Sequence, residues 1–302
     1  MDRAEGFIAF RGHKTWYRTV GDGEQPGKLP IVLLHGGPGA THDYLESLEA
    51  LAETGRRAVF YDQIGCGRSD RGDESLWKVE TYVDEVGAVR RELGLDRIHL
   101  FGNSWGGMLA MAYALTQPAG LESLIVASSP SSIPQWIDET VRLRRALPLE
   151  VQAVLDEHEA AGTTDDPEYE RACEIFYRRH VCRVAEWPDY VQRSFQFIRE
   201  HGDVYRYMNG PSEFHVVGTL KDWDITNRLS EIRVPTLVIS GEFDEATPAI
   251  NRTVSNGIPG AESMIYPGAS HMAHVEDTAG YCRVLDDFMT RVESTTLRGG
   301  SA

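Results

Sequence analysis

Residues 98–107 read Ile-His-Leu-Phe-Gly-Asn-Ser-Trp-Gly-Gly, and this stretch decides the fold. A run of four mostly apolar residues leads into the pattern Gly-x-Ser-x-Gly, and an Ala/Leu/Met-rich run typical of a helix follows. In such a strand-turn-helix elbow, the serine hydroxyl stands at the end of a sheet and can act as a nucleophile. Glycines flank the serine because side chains two residues to either side would clash in so sharp a turn. Ser104 is therefore the candidate nucleophile, with a structural serine in a tight turn as the alternative.

Further apolar runs on both sides of this elbow predict strands that are buried on both faces of a sheet. They lie at residues 31–34, 58–61, 124–127 and 236–240. Helix-like stretches lie between them, at residues 79–93 and 106–117, and a last one lies at 276–292. Buried strands that alternate with helices indicate a mostly parallel sheet covered by helices on both faces. Two β-prone runs within residues 7–20 predict an antiparallel hairpin before this sheet.

Residues 131–228 have a different character, because they are charged, aromatic-rich and helical in period, with no convincing buried strand. We interpret this stretch as a helical cap inserted into the α/β domain. The core domain would then comprise residues 1–130 and 229–302.

A serine hydroxyl needs a base to remove its proton, and the fold that carries this elbow places an acid and then a histidine later in the chain. Asp244 follows the strand predicted at 236–240, and His271 follows a strand predicted at 263–266. These two residues complete the order Ser, Asp, His of an α/β-hydrolase fold. Asp244 would orient the imidazole of His271 and stabilise its charged form. His274 is the rival base, and a solvated loop acid is the alternative interpretation of Asp244.

The loop His35-Gly-Gly-Pro-Gly39 follows the first buried strand. In this fold, a backbone N–H of that loop and the N–H of the residue after the nucleophile bind the developing oxyanion. We expect Gly37 and Trp105 to supply these two donors. His35 itself is expected to be a buried imidazole that fixes the loop by hydrogen bonding.

The composition excludes several classes of partner. The formal net charge of −16 over 302 residues repels phosphate backbones and anionic lipid headgroups, so we expect no nucleic-acid or membrane partner. No apolar run approaches the roughly 20 residues of a membrane helix, and the first ten residues lack an apolar signal core, so the expected location is the cytoplasm. The sequence leaves the oligomeric state open. The four scattered cysteines, with no Cys-x-x-Cys pair, are expected to be ordinary thiols.

Five motifs give the chain a resemblance to the proline iminopeptidases, including the tricorn-interacting aminopeptidase, and to the related amino-acid amidases. The resemblance extends from about Tyr17 to Phe288. The motifs are His35-Gly-Gly-Pro-Gly39, Tyr61-Asp-Gln-Ile-Gly-Cys-Gly-Arg-Ser69, Gly102-Asn-Ser-Trp-Gly-Gly107, Met208-Asn-Gly-Pro-Ser-Glu-Phe214 and Gly241-Glu-Phe-Asp-Glu-Ala-Thr-Pro248.

This resemblance implies an enzyme that removes an N-terminal residue, proline or another small one, from short peptides or amino-acid amides. It implies no metal and no cofactor. The substrate would carry a free amino terminus, and the resemblance places recognition of that amino group on Glu213 and Glu245. The position of Glu245, next to Asp244, independently puts it near the site.

Several other functions remain as alternatives. A general carboxylesterase or C–C bond hydrolase would share the catalytic residues without needing the paired acids, and a non-catalytic ligand-binding protein could keep the fold alone. Epoxide hydrolases and dehalogenases of this fold carry Asp where Ser104 stands. A metal site built from His271, His274 and Glu276 is the weakest option, because the helical His-Glu-x-x-His pattern is missing.

Overall fold

One sheet of eight strands forms the centre of the protein in a computed structural model that describes residues 2–21 and 25–299. The strands are β1 Arg3–Phe10, β2 His13–Val20, β3 Ile31–Leu34, β4 Ala58–Tyr61, β5 Ile98–Asn103, β6 Leu121–Ala127, β7 Thr236–Gly241 and β8 Glu262–Tyr266. Every strand predicted from an apolar run is present. The predicted hairpin is also confirmed, since β1 and β2 pair antiparallel from Arg3 opposite Val20 to Phe10 opposite His13.

The strand order across the sheet is β1-β2-β4-β3-β5-β6-β7-β8. The pair β2 and β4 is antiparallel, and all pairs from β4 to β8 are parallel. Parallel neighbours require crossover connections, and here helices make most of them. The carboxyl ends of β3, β5, β7 and β8 therefore meet at one edge of the sheet, where ligands bind in open α/β folds.

Helices cover both faces of the sheet, as the fold class predicts. They are α1 Val79–Glu92, α2 Trp105–Ala114, α3 Ile133–Arg144, α4 Leu149–Ala161, α5 Pro167–His180, α6 Asp189–His201, α7 Asp203–Met208, α8 Pro248–Gly257, α9 Ala273–Glu276 and α10 Thr278–Gly299. Two 3₁₀ helices, His42–Thr54 and Thr226–Glu231, complete the described elements. One apolar cluster lies on each face of the sheet, and β3 is buried at all four of its positions between them.

The last helix begins later than the sequence predicts. Instead of one helix over 276–292, the short helix α9 ends at Glu276, and Asp277 breaks the helical path with φ −143° and ψ 74°. The Asp277 carboxylate accepts a hydrogen bond from the N–H of Gly280 at 3.0 Å. Such a carboxylate satisfies a free N–H in the first turn, so Asp277 acts as the start signal of α10.

Five helices, α3 to α7, lie between β6 and β7, and in this wholly described stretch no strand interrupts them. N-cap residues explain where two of these helices begin. Asp166 accepts the N–H of Glu168 at 2.8 Å with Pro167 in the first turn of α5, and Ser132 accepts the N–H of Gln135 before α3. Helices α4 and α5 form an apolar cluster of their own with Leu147 and Phe214, whereas buried residues of α3, α6 and α7 belong to the two clusters on the sheet. The division at residues 131 and 228 into a separate cap domain stays a prediction.

All four cysteines are buried free thiols, as expected from their spacing. Within the described part of the chain, no helix is long and apolar enough to cross a membrane.

Candidate active site

Ser104 sits between β5 and α2 in a backbone conformation that few non-glycine residues adopt, with φ 58° and ψ −127°. The turn is so tight that a Cβ on Gly102 would lie 2.0 Å from the carbonyl oxygen of Gly106. The N–H of Ser104 donates to the carbonyl of Ala127 at 3.0 Å, which fixes the turn to the neighbouring strand. The strained backbone holds the serine above the carboxyl end of the sheet.

His271 and Asp244 are joined by a hydrogen bond of 2.8 Å between Nδ1 and Oδ1. A carboxylate only accepts hydrogen bonds, so Nδ1 carries the proton and Nε2 is left as an acceptor. Asp244 is fixed in turn, because its oxygens accept the N–H groups of Ala246 at 2.7 Å and Gly241 at 3.1 Å. Both side chains are almost fully buried. The pair therefore has the tautomer and orientation that a general base needs.

The elbow and the loop of His271 also touch. Asn103, just before the nucleophile, donates through Nδ2 to the carbonyl of Ala127 at 3.4 Å and to the carbonyl of His271 at 3.5 Å. Among the described residues, no hydrogen bond joins the Ser104 hydroxyl to the imidazole. Nucleophile–base bonds are often long before substrate binds and tighten in the complex.

Two backbone N–H groups near Ser104 are available to a ligand. Neither the N–H of Gly37 nor that of Trp105 donates to an acceptor within the described residues. Trp105 begins α2, so its N–H points out of the helix at the positive end of the helix dipole. This arrangement can bind a developing negative charge on oxygen.

The loop that carries Gly37 is held by a buried network that the motifs did not reveal. His35 is fully buried, and burial lowers its pKa to about 4, so the imidazole is neutral. Its Nε2 accepts the N–H of Gln63 at 3.0 Å, while the Gln63 side chain donates to the His35 carbonyl at 2.9 Å. Gln63 also accepts the indole N–H of Trp105 at 2.8 Å. The expectation that His35 fixes the loop is confirmed, and Gln63 connects that loop to the elbow.

Tyr44 makes a second connection that sequence reasoning missed. Its buried hydroxyl accepts the N–H of Gly36 at 2.7 Å and donates to Oδ1 of Asn103 at 2.8 Å. One phenol thus bridges the loop before Gly37 and the residue before Ser104. No sequence motif predicts this role of Tyr44, because the bridge exists only after folding brings residues 36, 44 and 103 together.

The structure places one candidate amino-binding acid, Glu245, beside the histidine and connects the other, Glu213, to it through Trp136. Glu245 Oε1 lies 3.7 Å from Nδ1 of His271, and Glu245 is almost fully buried. Trp136 of α3 donates its indole N–H to the carbonyl of Glu213 at 2.7 Å, and its ring makes an edge contact with His271, with centroids 6.1 Å apart. Tyr205 donates its hydroxyl to Glu213 Oε1 at 2.6 Å.

Both acids are in an unfavourable electrostatic setting. Burial raises the pKa of Glu245 well above its ordinary value, and the nearby charges of Glu213 and Asp244 raise it further. Burial also raises the pKa of Glu213, although the hydrogen bond from Tyr205 and the charge of His271 oppose this. Within the described residues neither acid pairs with a lysine or arginine, and Oε2 of Glu245 has no hydrogen-bond partner. A cation bound between them would relieve the repulsion.

The rival base, His274, has a different environment. It is fully buried, burial lowers its pKa to about 3, and its Nδ1 is hydrogen-bonded to the Ser47 hydroxyl at 2.9 Å. In the described structure no carboxylate orients it. The metal site considered from the sequence can be compared with the groups of potential ligands in the described structure. Two groups have potential ligand atoms within 4.8 Å of one another, and they are His42 with Asp43 and Glu46, and His158 with Asp166 and Glu168. Neither group includes residue 271, 274 or 276.

A cavity of about 900 Å³ lies between α5, α6 and α7. Glu213 and Tyr205 belong to its walls, together with the aromatic side chains of Tyr177, Trp187 and Phe195. Its volume is in the range of pockets that bury whole small-molecule ligands.

Comparison with known proteins agrees with the fold and with the motifs. Residues 30–278 match the alpha/beta hydrolase fold family. A protein of Heyndrickxia coagulans named proline iminopeptidase is 38% identical over 289 residues, covering 95% of this chain and 99% of that protein. The crystal structure of the proline iminopeptidase of Mycobacterium smegmatis is 42% identical, with a TM-score of 0.90 over 97% of this chain and 100% of that one. The crystal structure of VinJ is 43% identical, with a TM-score of 0.93, covering 96% and 99% of the two chains.

Proposed function

Because the chain belongs to the proline iminopeptidase family of α/β hydrolases, we propose that it is a serine aminopeptidase or amidase. It releases an N-terminal residue, proline or another small one, from short peptides or amino-acid amides. The observation that carries the proposal is the pair of neighbouring acids, the half-buried Glu213 and the buried Glu245 next to His271 and Asp244, neither of which pairs with a lysine or arginine among the described residues. A substrate with a free amino terminus supplies that cation.

The paired acids bind the protonated amino group of the substrate. A carboxylate 4 Å from an ammonium is worth about 4 kcal/mol at an effective dielectric constant near 20, before desolvation is subtracted. Binding also removes the repulsion between Glu213 and Glu245, which a blocked amino group cannot do. Glu213 and Glu245 together form what we call the amino anchor. This anchor selects the N-terminal residue and positions its carbonyl over Ser104.

Ser104 then attacks this carbonyl carbon while Nε2 of His271 accepts the hydroxyl proton. The N–H groups of Gly37 and Trp105 bind the oxyanion, and losing one such donor typically costs roughly 3 kcal/mol of transition-state stabilisation. As the C–N bond breaks, His271 gives the proton to the leaving amine, and the acyl group stays on Ser104.

A water molecule completes the reaction. His271 removes a proton from the water as it attacks the acyl-enzyme, and the proton returns to the Ser104 oxygen when the ester bond breaks. The free amino acid leaves, and neither a metal nor a cofactor takes part in these steps.

The test compares prolyl p-nitroanilide with its N-acetylated form, and alanyl p-nitroanilide with its own. The proposal predicts turnover of the free amines and none of the acetylated substrates. Similar turnover of both forms would refute the amino anchor, and a strong preference for p-nitrophenyl acetate would point to a carboxylesterase instead.

A further inference from the structure

The loop that carries His271 is attached to the end of helix α5, an element far from it in sequence. The carbonyl of His180, the last residue of α5, accepts the N–H of His271 at 3.2 Å and the N–H of Glu245 at 3.3 Å. The next carbonyl, that of Val181, accepts the N–H of Met272 at 2.9 Å. Residues 180 and 181 therefore run alongside the base and hold two consecutive residues of its loop.

Glu276 fastens the same two segments through its side chain. Its carboxylate accepts the N–H of Ser270 at 2.6 Å and the N–H of Arg183 at 2.6 Å. It also accepts the Ser270 hydroxyl at 2.5 Å. Three donors converge on a group that can only accept, so a carboxylate is the side chain that satisfies all of them.

This carboxylate acts on a part of the histidine that Asp244 does not control. The hydrogen bond that Nδ1 donates to Asp244 sets the rotation of the imidazole ring, whereas the bonds that Glu276 accepts fix the backbone just before His271. Both are needed, because a base displaced by about 1 Å can lose roughly a hundredfold in rate.

We propose that Glu276 is a positioning residue for the catalytic base, and that it acts by locking the 270–271 backbone to the segment that follows α5. This inference rests on the proposed role of His271. We call these three hydrogen bonds, from the N–H groups of Ser270 and Arg183 and from the Ser270 hydroxyl, the Glu276 clasp. Because both oxygens of Glu276 already accept bonds in this clasp, Glu276 is neither an unengaged surface acid nor a metal ligand.

The experiment compares Glu276→Gln with wild type in three measurements: kcat and KM for prolyl p-nitroanilide, the rate of fluorophosphonate labelling, and thermal stability. An amide would turn its NH₂ toward one of the N–H donors, so the clasp loses at least one bond. We expect kcat and the labelling rate to fall by roughly tenfold or more. KM should change less than about twofold, because the amino anchor is untouched.

Glu242→Gln is the matched control, because Glu242 is exposed and accepts the N–H of Gly268 at 2.9 Å on the same loop, further from His271. It should leave kcat and labelling unchanged. Ser270→Ala, which removes one bond to Glu276 and keeps the other two, should give a smaller loss and decides the matter if Glu276→Gln does not fold.

Wild-type labelling rates in folded Glu276→Gln, or in Ser270→Ala if the former does not fold, would overturn the proposal. So would losses in Glu276→Gln that Glu242→Gln reproduces. If wild type itself reacts with no fluorophosphonate, the proposed function fails, and that result differs from a failure of the clasp.

Discussion

The side chain of Glu245 is buried, and its Oε2 has no hydrogen-bond partner within the described residues. Burying an unpaired carboxylate is costly, so the raised pKa of this group is the expected response. A bound ammonium reverses the situation, because it favours the ionised form. The residue is thus better suited to a liganded site than to an empty one.

Glu245→Gln tests this at one position. The amide keeps the shape of the side chain but loses the charge that attracts the substrate amine. We expect KM for prolyl p-nitroanilide to rise by roughly tenfold or more, with a much smaller effect on an ester that lacks an amino group. An equal effect on both substrates would show that Glu245 does not bind the amino group.

The raised pKa values of Glu213 and Glu245 also predict a pH dependence. A carboxyl with a raised pKa stays protonated to a higher pH than usual, and binding of an ammonium expels that proton. Affinity for prolinamide should therefore increase as pH rises through these pKa values, and fall again when the amine loses its own proton near pH 8. Calorimetry in buffers of different ionisation enthalpy should detect proton release, and Glu245→Gln should reduce it. Binding without proton release at any pH would contradict this account.

At the scale of elements, the 3₁₀ helix His42–Thr54 contributes to the site through Tyr44, which bridges Gly36 and Asn103. Tyr44→Phe leaves the N–H of Gly36 and the Asn103 amide oxygen without this partner. Each buried unsatisfied group costs about 1–3 kcal/mol, so we expect lower stability together with a reduced kcat.

Tyr61→Phe provides the control for this prediction, because the buried Tyr61 hydroxyl has no hydrogen-bond partner within the described residues. Its removal should be neutral or slightly stabilising in urea unfolding. If Tyr44→Phe behaves like Tyr61→Phe in both stability and kcat, the bridge has no functional role.

The elements also show how much of the fold and of the site can be predicted from the sequence. Apolar runs such as 31–34 and 124–127 predict their strands because burial on both faces leaves an unbroken hydrophobic signal. The sequence pattern predicts a start of the last helix that is too early, since in sequence Asp277 resembles any surface acid and only its bond to Gly280 marks the start of α10. Tyr44, Gln63 and Glu276 could not be assigned either, because their roles depend on contacts between segments far apart in the chain.

At the scale of the molecule, a buried ion-pair cluster ties α10 to the opposite edge of the sheet from the site. Arg56 is fully buried and donates to both oxygens of Glu293, at 2.5 and 3.0 Å, and to Asp286 at 2.7 Å. Burial alone would raise the pKa of Glu293, but hydrogen bonds from His99, Arg56 and the Leu29 N–H outweigh it and lower the pKa to about 2.

A lowered carboxyl pKa stabilises the fold above its ordinary value of 4.5, and this stabilisation is lost as pH falls toward about 2. Glu293→Gln should therefore destabilise the protein by about 3 kcal/mol at pH 7 and flatten the loss of stability in acid. Urea unfolding from pH 7 to pH 3 measures both effects.

Glu262→Gln is the control for this whole-molecule prediction, because the exposed pair of Glu262 with Arg291 should contribute less than about 1 kcal/mol. Neither variant should change kcat/KM, since both sites lie away from the catalytic edge. A similar small loss of stability in the two variants would show that the buried contacts between Arg56 and Glu293 do not stabilise the fold.

The most direct test of the whole account is to map the fluorophosphonate adduct by mass spectrometry and to measure which ligands protect against it. We predict one adduct, on Ser104, whose formation is abolished by His271→Ala and slowed by prolinamide but not by N-acetylprolinamide. An adduct on another residue, none at all, or equal protection by the two amides would contradict the claim that Ser104 acts beside an amino-group anchor.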